Sequence, residues 1–110
     1  MPYYTVLFSF IETKLFTSLV QEYMTDDDYR ELQAFLIEQA NAGQVIPGTG
    51  GVRKLRWRAP GRGRRSGFRV IYYAKMQQGV IWMLTLYAKN VRENIPAHLL
   101  REIRKEVENG

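Results

Sequence analysis

A chain of 110 residues with a formal net charge of +5 and no cysteine fits one domain over residues 1–110, able to take roughly 60% of its unfolded surface out of water, and excludes disulfides and thiolate metal ligands. No charged start leads into a continuous apolar run, and no apolar stretch nears the roughly 20 residues of a membrane helix, so a soluble, cytoplasmic protein without membrane association is expected. The charge is segregated: between Glu38 and Glu93 there is no Asp or Glu, but Arg53, Lys54, Arg56, Arg58, Arg62, Arg64, Arg65, Arg69, Lys75, Lys89 and Arg92 all occur there, a one-signed region that draws polyanions with salt-dependent affinity.

Tyr3 to Phe8 alternates aromatic and branched residues and predicts a first strand. From about Glu12, Phe16, Leu19, Val20 and Tyr23 recur at helical spacing, which predicts a short helix that breaks at Met24. Thr25 followed by Asp28 resembles a capping box, and three aspartates in the first turn complement the dipole of a second helix. Its inward stripe is Tyr29, Leu32, Phe35, Leu36 and Ala40, and it ends near Gly43. Gly43 to Gly51, rich in glycine, reads as an irregular connection. Val52 to Arg58 alternates again, with Lys54, Arg56 and Arg58 on one face and Arg53, Leu55 and Trp57 on the other. A basic loop, Ala59 to Gly67, precedes two apolar runs, Phe68 to Lys75 and Val80 to Tyr87, that predict a hairpin. Pro96 then opens a terminal amphipathic helix whose stripe is Leu99, Leu100, Ile103 and Val107.

This order predicts an α+β domain in which an antiparallel sheet carries two N-terminal helices and a C-terminal helix on one face. The other face is then expected to lie open and to present the basic strands to solvent.

The usual catalytic groups are missing. His98 is the one histidine, and a lone helical histidine reads as a surface residue or cap. Asp26, Asp27 and Asp28 read as capping residues, and no His, Cys, Asp or Glu cluster has metal-ligand spacing, so neither metal nor cofactor is expected. Gly48, Gly50 and Gly51 precede a strand, unlike a phosphate loop that opens a helix. What remains is cationic: Lys54 and Arg56 project from one strand face, Arg69 begins the next strand, and together they can grip a phosphate. Arginine cannot readily act as a base but its planar fork fits phosphate oxygens. Lysine can, because neighbouring cations lower an ammonium's pKa towards working pH. Tyr87 and Lys89 are candidates for proton donation or for contact with a base. Binding of backbone phosphate without chemistry explains the same residues equally well.

Gly48-Thr49-Gly50-Gly51-Val52-Arg53-Lys54-Leu55-Arg56-Trp57, then Arg62-Gly63-Arg64-Arg65-Ser66-Gly67-Phe68-Arg69-Val70-Ile71-Tyr72-Tyr73 and Leu84-Thr85-Leu86-Tyr87-Ala88-Lys89-Asn90, together resemble the HigB-type branch of the RelE toxins within the RelE/ParE superfamily. The resemblance spans nearly the whole chain and includes Phe16 before a helix and Asp28-Tyr29-Arg30-Glu31-Leu32-Gln33 on the next. It implies a fold related to microbial ribonucleases, metal-independent cleavage of mRNA in the A site of the 30S ribosomal subunit, and neutralisation by a cognate antitoxin of helix-turn-helix DNA-binding type. By position it matches Lys54 and Arg56 to the family's basic pair on a strand, Arg69 to the arginine that contacts the scissile phosphate and Lys89 to a basic residue after the last strand; Tyr87 joins these as a catalytic candidate from its place at the end of that strand, and Arg53, Arg58, Arg62, Arg64, Arg65, Tyr73, Lys75 and Asn90 are the candidate RNA-binding residues around them. Asn90 stands where well-studied RelE toxins have an arginine, and Pro96 near their nucleotide-contacting tyrosine, which leaves the general base and acid open: Tyr87 or Tyr73 substitutes, or the ribosome contributes more of the geometry. Two other readings stand beside this one: a ParE-like toxin that acts on DNA gyrase without nuclease activity, and a non-catalytic RNA-binding module.

Overall fold

The computed structural model describes residues 8–58, 67–88 and 96–109. Five strands form one sheet in the order β1-β5-β4-β3-β2, made of β1 (Ser9–Glu12), β2 (Gln44–Val45), β3 (Arg53–Trp57), β4 (Phe68–Lys75) and β5 (Val80–Ala88). Three helices accompany it: α1 (Lys14–Tyr23), α2 (Asp26–Glu38) and α3 (Ala97–Asn109). The α+β class expected from the sequence is the one observed. None of the described helices is long and apolar enough to cross a membrane.

Local sequence explains where the helices begin. The amide of Phe16 donates to Thr13 Oγ1 at 3.0 Å, which caps α1. The amide of Asp28 donates to Thr25 Oγ1 and the amide of Thr25 to Asp28 Oδ2, each at 3.1 Å. That reciprocal box satisfies two orphan donors of α2, a cap typically contributing about 1 kcal/mol.

The sheet differs from expectation in three ways. Strand β1 lies at Ser9–Glu12 and runs parallel to β5, whereas the expected strand Tyr3 to Phe8 lies almost wholly outside the described residues. The connection after α2 contains the two-residue strand β2, antiparallel to β3. And the helices occupy both faces. Phe16, Val20, Met24, Leu32 and Leu36 of the α1–α2 layer pack with Leu55, Phe68, Val70, Tyr72, Ile81, Met83 and Leu86. A second core on the opposite face joins Val52, Ile71, Leu84 and Tyr87 to Leu100, with Ile103 and Val107 against it. The C-terminal helix therefore covers part of the face that was expected to be open. Helical periodicity identifies an apolar stripe without saying which sheet face receives it, and Ile71, Leu84 and Val52 supply an apolar patch there. Leu99, expected in the stripe, is 44% exposed.

The glycine-rich turn is the seat of α3. Thr49 is buried; its hydroxyl donates to Ile46 O at 2.6 Å and accepts from the amide of Val52 at 3.1 Å. The outward carbonyls are taken by α3, with Arg104 Nε donating to Thr49 O at 3.0 Å and Arg101 Nη1 to Gly48 O at 3.2 Å. Gly50 sits at φ +79°, and a Cβ there would lie 2.7 Å from Arg104 Nε. Gly50→Ala combines a left-handed backbone penalty with displacement of that arginine. It is expected to cost about 1–3 kcal/mol, read as a lower midpoint in chemical denaturation together with faster amide exchange in α3.

Candidate phosphate-binding face

Strand register brings the basic residues together. Arg56 on β3 is directly opposite Arg69 on β4, and Lys54 is opposite Ile71. Arg69 is in turn opposite Tyr87 on β5. Cross-strand partners share a face with Cβ atoms about 4.5–5.5 Å apart, so Arg56, Arg69 and Tyr87 form a row across three strands and Lys54 stands beside it. Two arginines opposite each other repel. Among the described residues no carboxylate relieves them, and Lys54, Arg56 and Arg69 make no hydrogen bond or ion pair there. Arg56 is exposed, and Lys54 and Arg69 are half-buried. Such an arrangement can take an anion, two of whose oxygens would accept hydrogen bonds from a guanidinium fork.

Tyr87 stands at one end of the row with only 6% of its surface exposed, its ring held in the second core with Ile71, Leu84 and Leu100. The β4–β5 register changes just before it in space: Ile71 pairs with Thr85, but Tyr72 pairs with Met83, so Leu84 has no partner in β4.

The remaining candidates divide. Arg58 is exposed just after β3. Tyr73 lies on the same sheet face four residues beyond Arg69, about 13 Å along the strand, under the α3 seat; Arg104 Cζ is 5.6 Å from its ring centre. Lys75 ends β4, about 20 Å from Arg69. Arg53 is on the opposite face, where its Nη1 donates to Gly43 O at 2.7 Å and Asn41 O at 3.2 Å, carbonyls just beyond the end of α2. Arg62, Arg64, Arg65, Lys89 and Asn90 lie outside the described residues. His98 is exposed in the first turn of α3. Among the described residues, no group of three His, Cys, Asp or Glu side chains could hold a metal ion.

Arg101 and Arg104 were not singled out by sequence reasoning, although their positions around Leu100 and Ile103 on the predicted helix were the available signal. The division between Arg53 and Arg56 gives a test. Arg53→Ala is expected to cost about 1–3 kcal/mol of stability by removing a charged donor from two carbonyls. Arg56→Ala is expected to leave the melting temperature unchanged or slightly raised, since it removes a like-charge pair, while weakening the capture of a polyanion. Thermal melts and filter binding on both variants separate the two effects.

A scan for known families finds no match. The architecture is nonetheless RelE-like. The solved structure of an arginine-to-alanine double mutant of the Escherichia coli toxin RelE in the free state matches 91% of this chain and 98% of that chain, with a TM-score of 0.53 and 14% sequence identity, a level of identity that shows the shared fold alone.

Proposed function

We propose that this protein is the toxin of a type II toxin–antitoxin pair, an endoribonuclease of the HigB-type branch that cleaves mRNA in the ribosomal A site and so arrests translation. The observation that carries this reading is the row of Arg56 and Arg69, to which no described carboxylate is paired, with Lys54 beside it and Tyr87 at its end. Cleavage through the ribose 2′-hydroxyl needs a proton acceptor, stabilisation of the phosphorane oxygens and protonation of the leaving 5′-oxygen. Arg69, between Arg56 and Tyr87, is the candidate to hold the phosphorane, with the planar fork that such oxygens match. Lys54 is the candidate for proton transfer among the described residues, and Lys89 follows Tyr87 closely in sequence.

The cognate partner in this reading is an antitoxin with a helix-turn-helix DNA-binding domain, and the target complex is mRNA on the 30S subunit. The deciding experiment is primer extension on mRNA after the chain is induced in bacteria. New 5′ ends at codon-periodic positions are expected. Growth arrest with inhibited gyrase and intact mRNA would instead place the protein with ParE-like toxins, and RNA binding without new ends would make it a binding module.

A further inference from the structure

Strand β5 does not keep its two-residue alternation. Ile81 and Met83 face the α1–α2 layer, and a regular strand would send Thr85 and Tyr87 to that same side. Instead Leu86 enters that core and Tyr87 the opposite one. The cause is the extra residue Leu84, left without a β4 partner as the register passes from Thr85 opposite Ile71 to Met83 opposite Tyr72. Such a bulge re-aims every side chain beyond it. Without it, Arg69 would face a leucine.

A bulge survives only if the backbone groups it displaces find partners. Here one residue, 71 positions away, supplies a partner for the carbonyl of the extra residue. The hydroxyl of Thr13 donates to Leu84 O at 2.6 Å, and the amide of Thr13 donates to Met83 O at 3.1 Å. Strand β1 has ended at Glu12, so Thr13 takes over where the parallel ladder stops. The same hydroxyl oxygen accepts the amide of Phe16 as the cap of α1. A one-residue slip of β5 beyond Leu84 would exchange the faces of Leu86 and Tyr87, and the Thr13 hydroxyl bonds the carbonyl that the slip would displace.

We infer that Thr13 is a positioning residue for the cationic face: it fixes the Leu84 bulge and thereby sets Tyr87 opposite Arg69. The functional half of this inference rests on the ribonuclease reading; the geometric half does not.

Three substitutions separate the lock from the cap. Thr13→Ser keeps both. Thr13→Asp is a good cap but, as a carboxylate, cannot donate to Leu84 O, and Thr13→Gly removes the hydroxyl at small cost to the helix start. The direct readout is the through-space NMR contact between the Tyr87 ring and the Leu100 methyls, with the Phe16–Tyr29 ring contact, 5.7 Å between centroids, as control. The Tyr87–Leu100 contact is expected in wild type and Thr13→Ser and lost in Thr13→Asp and Thr13→Gly while the control persists. On ribosomes programmed with mRNA, the same two variants are expected to lose about 30-fold in rate at saturating substrate with KM changed less than about 3-fold, and Thr13→Ser to stay within about 3-fold of wild type.

Retention of the Tyr87–Leu100 contact in both Asp and Gly variants overturns the inference. So does loss of the control contact in both, which would make Thr13 a support of the whole fold. If wild type cleaves no mRNA, the ribonuclease reading fails, and the NMR contacts alone decide whether Thr13 holds the bulge.

Discussion

Under the proposed ribonuclease function, Arg69→Ala is expected to lower ribosome-dependent mRNA cleavage by at least about 100-fold while leaving ribosome affinity within a few-fold, because the donor it removes would act mostly on charge that develops in the transition state. Its place in the middle of the row, between Arg56 and Tyr87, makes it the one cation on β4 with a site residue on each side. Bulk electrostatic attraction is spread over many arginines and survives the loss of one. Arg69→Lys tests the distinction further: a point charge restores attraction but not the two-pronged contact, so this variant is expected to bind RNA as wild type does and still cleave poorly. Circular dichroism is the check that the fold is intact, and single-turnover cleavage reads the effect. An Arg69→Ala protein that cleaves at the wild-type rate would remove Arg69 from the mechanism.

The largest stability effect is expected at Tyr72. Its hydroxyl donates to Ala40 O at 2.6 Å and accepts from the amide of Gly43 at 3.0 Å, both inside the protein. Tyr72 therefore ties the end of α2 to the centre of the sheet. Tyr72→Phe keeps the ring and its packing but strands a buried carbonyl and a buried amide, at an expected cost of about 2–4 kcal/mol, measured as a shift in the denaturant midpoint at unchanged slope.

The same residue gives the protein an alkaline limit. Burial raises the Tyr72 phenol above its ordinary value, outweighing the opposing effects of the Gly43 amide and Arg53. Burial, reinforced by its bond to Glu12, raises Tyr29 as well. With folded pKa values above the unfolded one, the proton stays on longer in the folded chain. This stability is whole below the unfolded pKa near 10 and is lost as the pH climbs from there through the raised folded values. Stability measured against pH should fall above about pH 10 in wild type and fall less steeply in Tyr72→Phe, on its lower baseline.

The helical layer was legible because its signals are local. Thr25 and Asp28 announce the start of α2 from three residues apart, and Phe16, Val20, Leu32 and Leu36 mark an inward stripe that the structure buries. The basic row was legible on β3 and β4 because both strands keep a strict two-residue period, so Lys54 and Arg56 fall on one face and Arg53 on the other. Arg53 nevertheless entered the candidate RNA-binding set on charge alone, and its actual partners, the carbonyls of Asn41 and Gly43, are set by tertiary packing. On β5 the period breaks at Leu84, and no local residue type marks the break. The position of α3 was hidden for a similar reason: it depends on Arg101 and Arg104 meeting Gly48 and Thr49, more than fifty residues away.

The parallel pairing of β1 with β5 has a consequence in time. Ser9 is hydrogen-bonded into the fold only once Val80 and its neighbours exist to receive it, so the earliest described strand waits for the latest. Contacts of such sequence separation form slowly, since the intervening chain must close a long loop first. During synthesis, which delivers the N-terminal segments first, the α1–α2 layer lacks the strand it lies on and Arg69 has no Tyr87 opposite it. A protein proposed to attack ribosomes is thereby left unassembled while the ribosome making it has yet to finish β5.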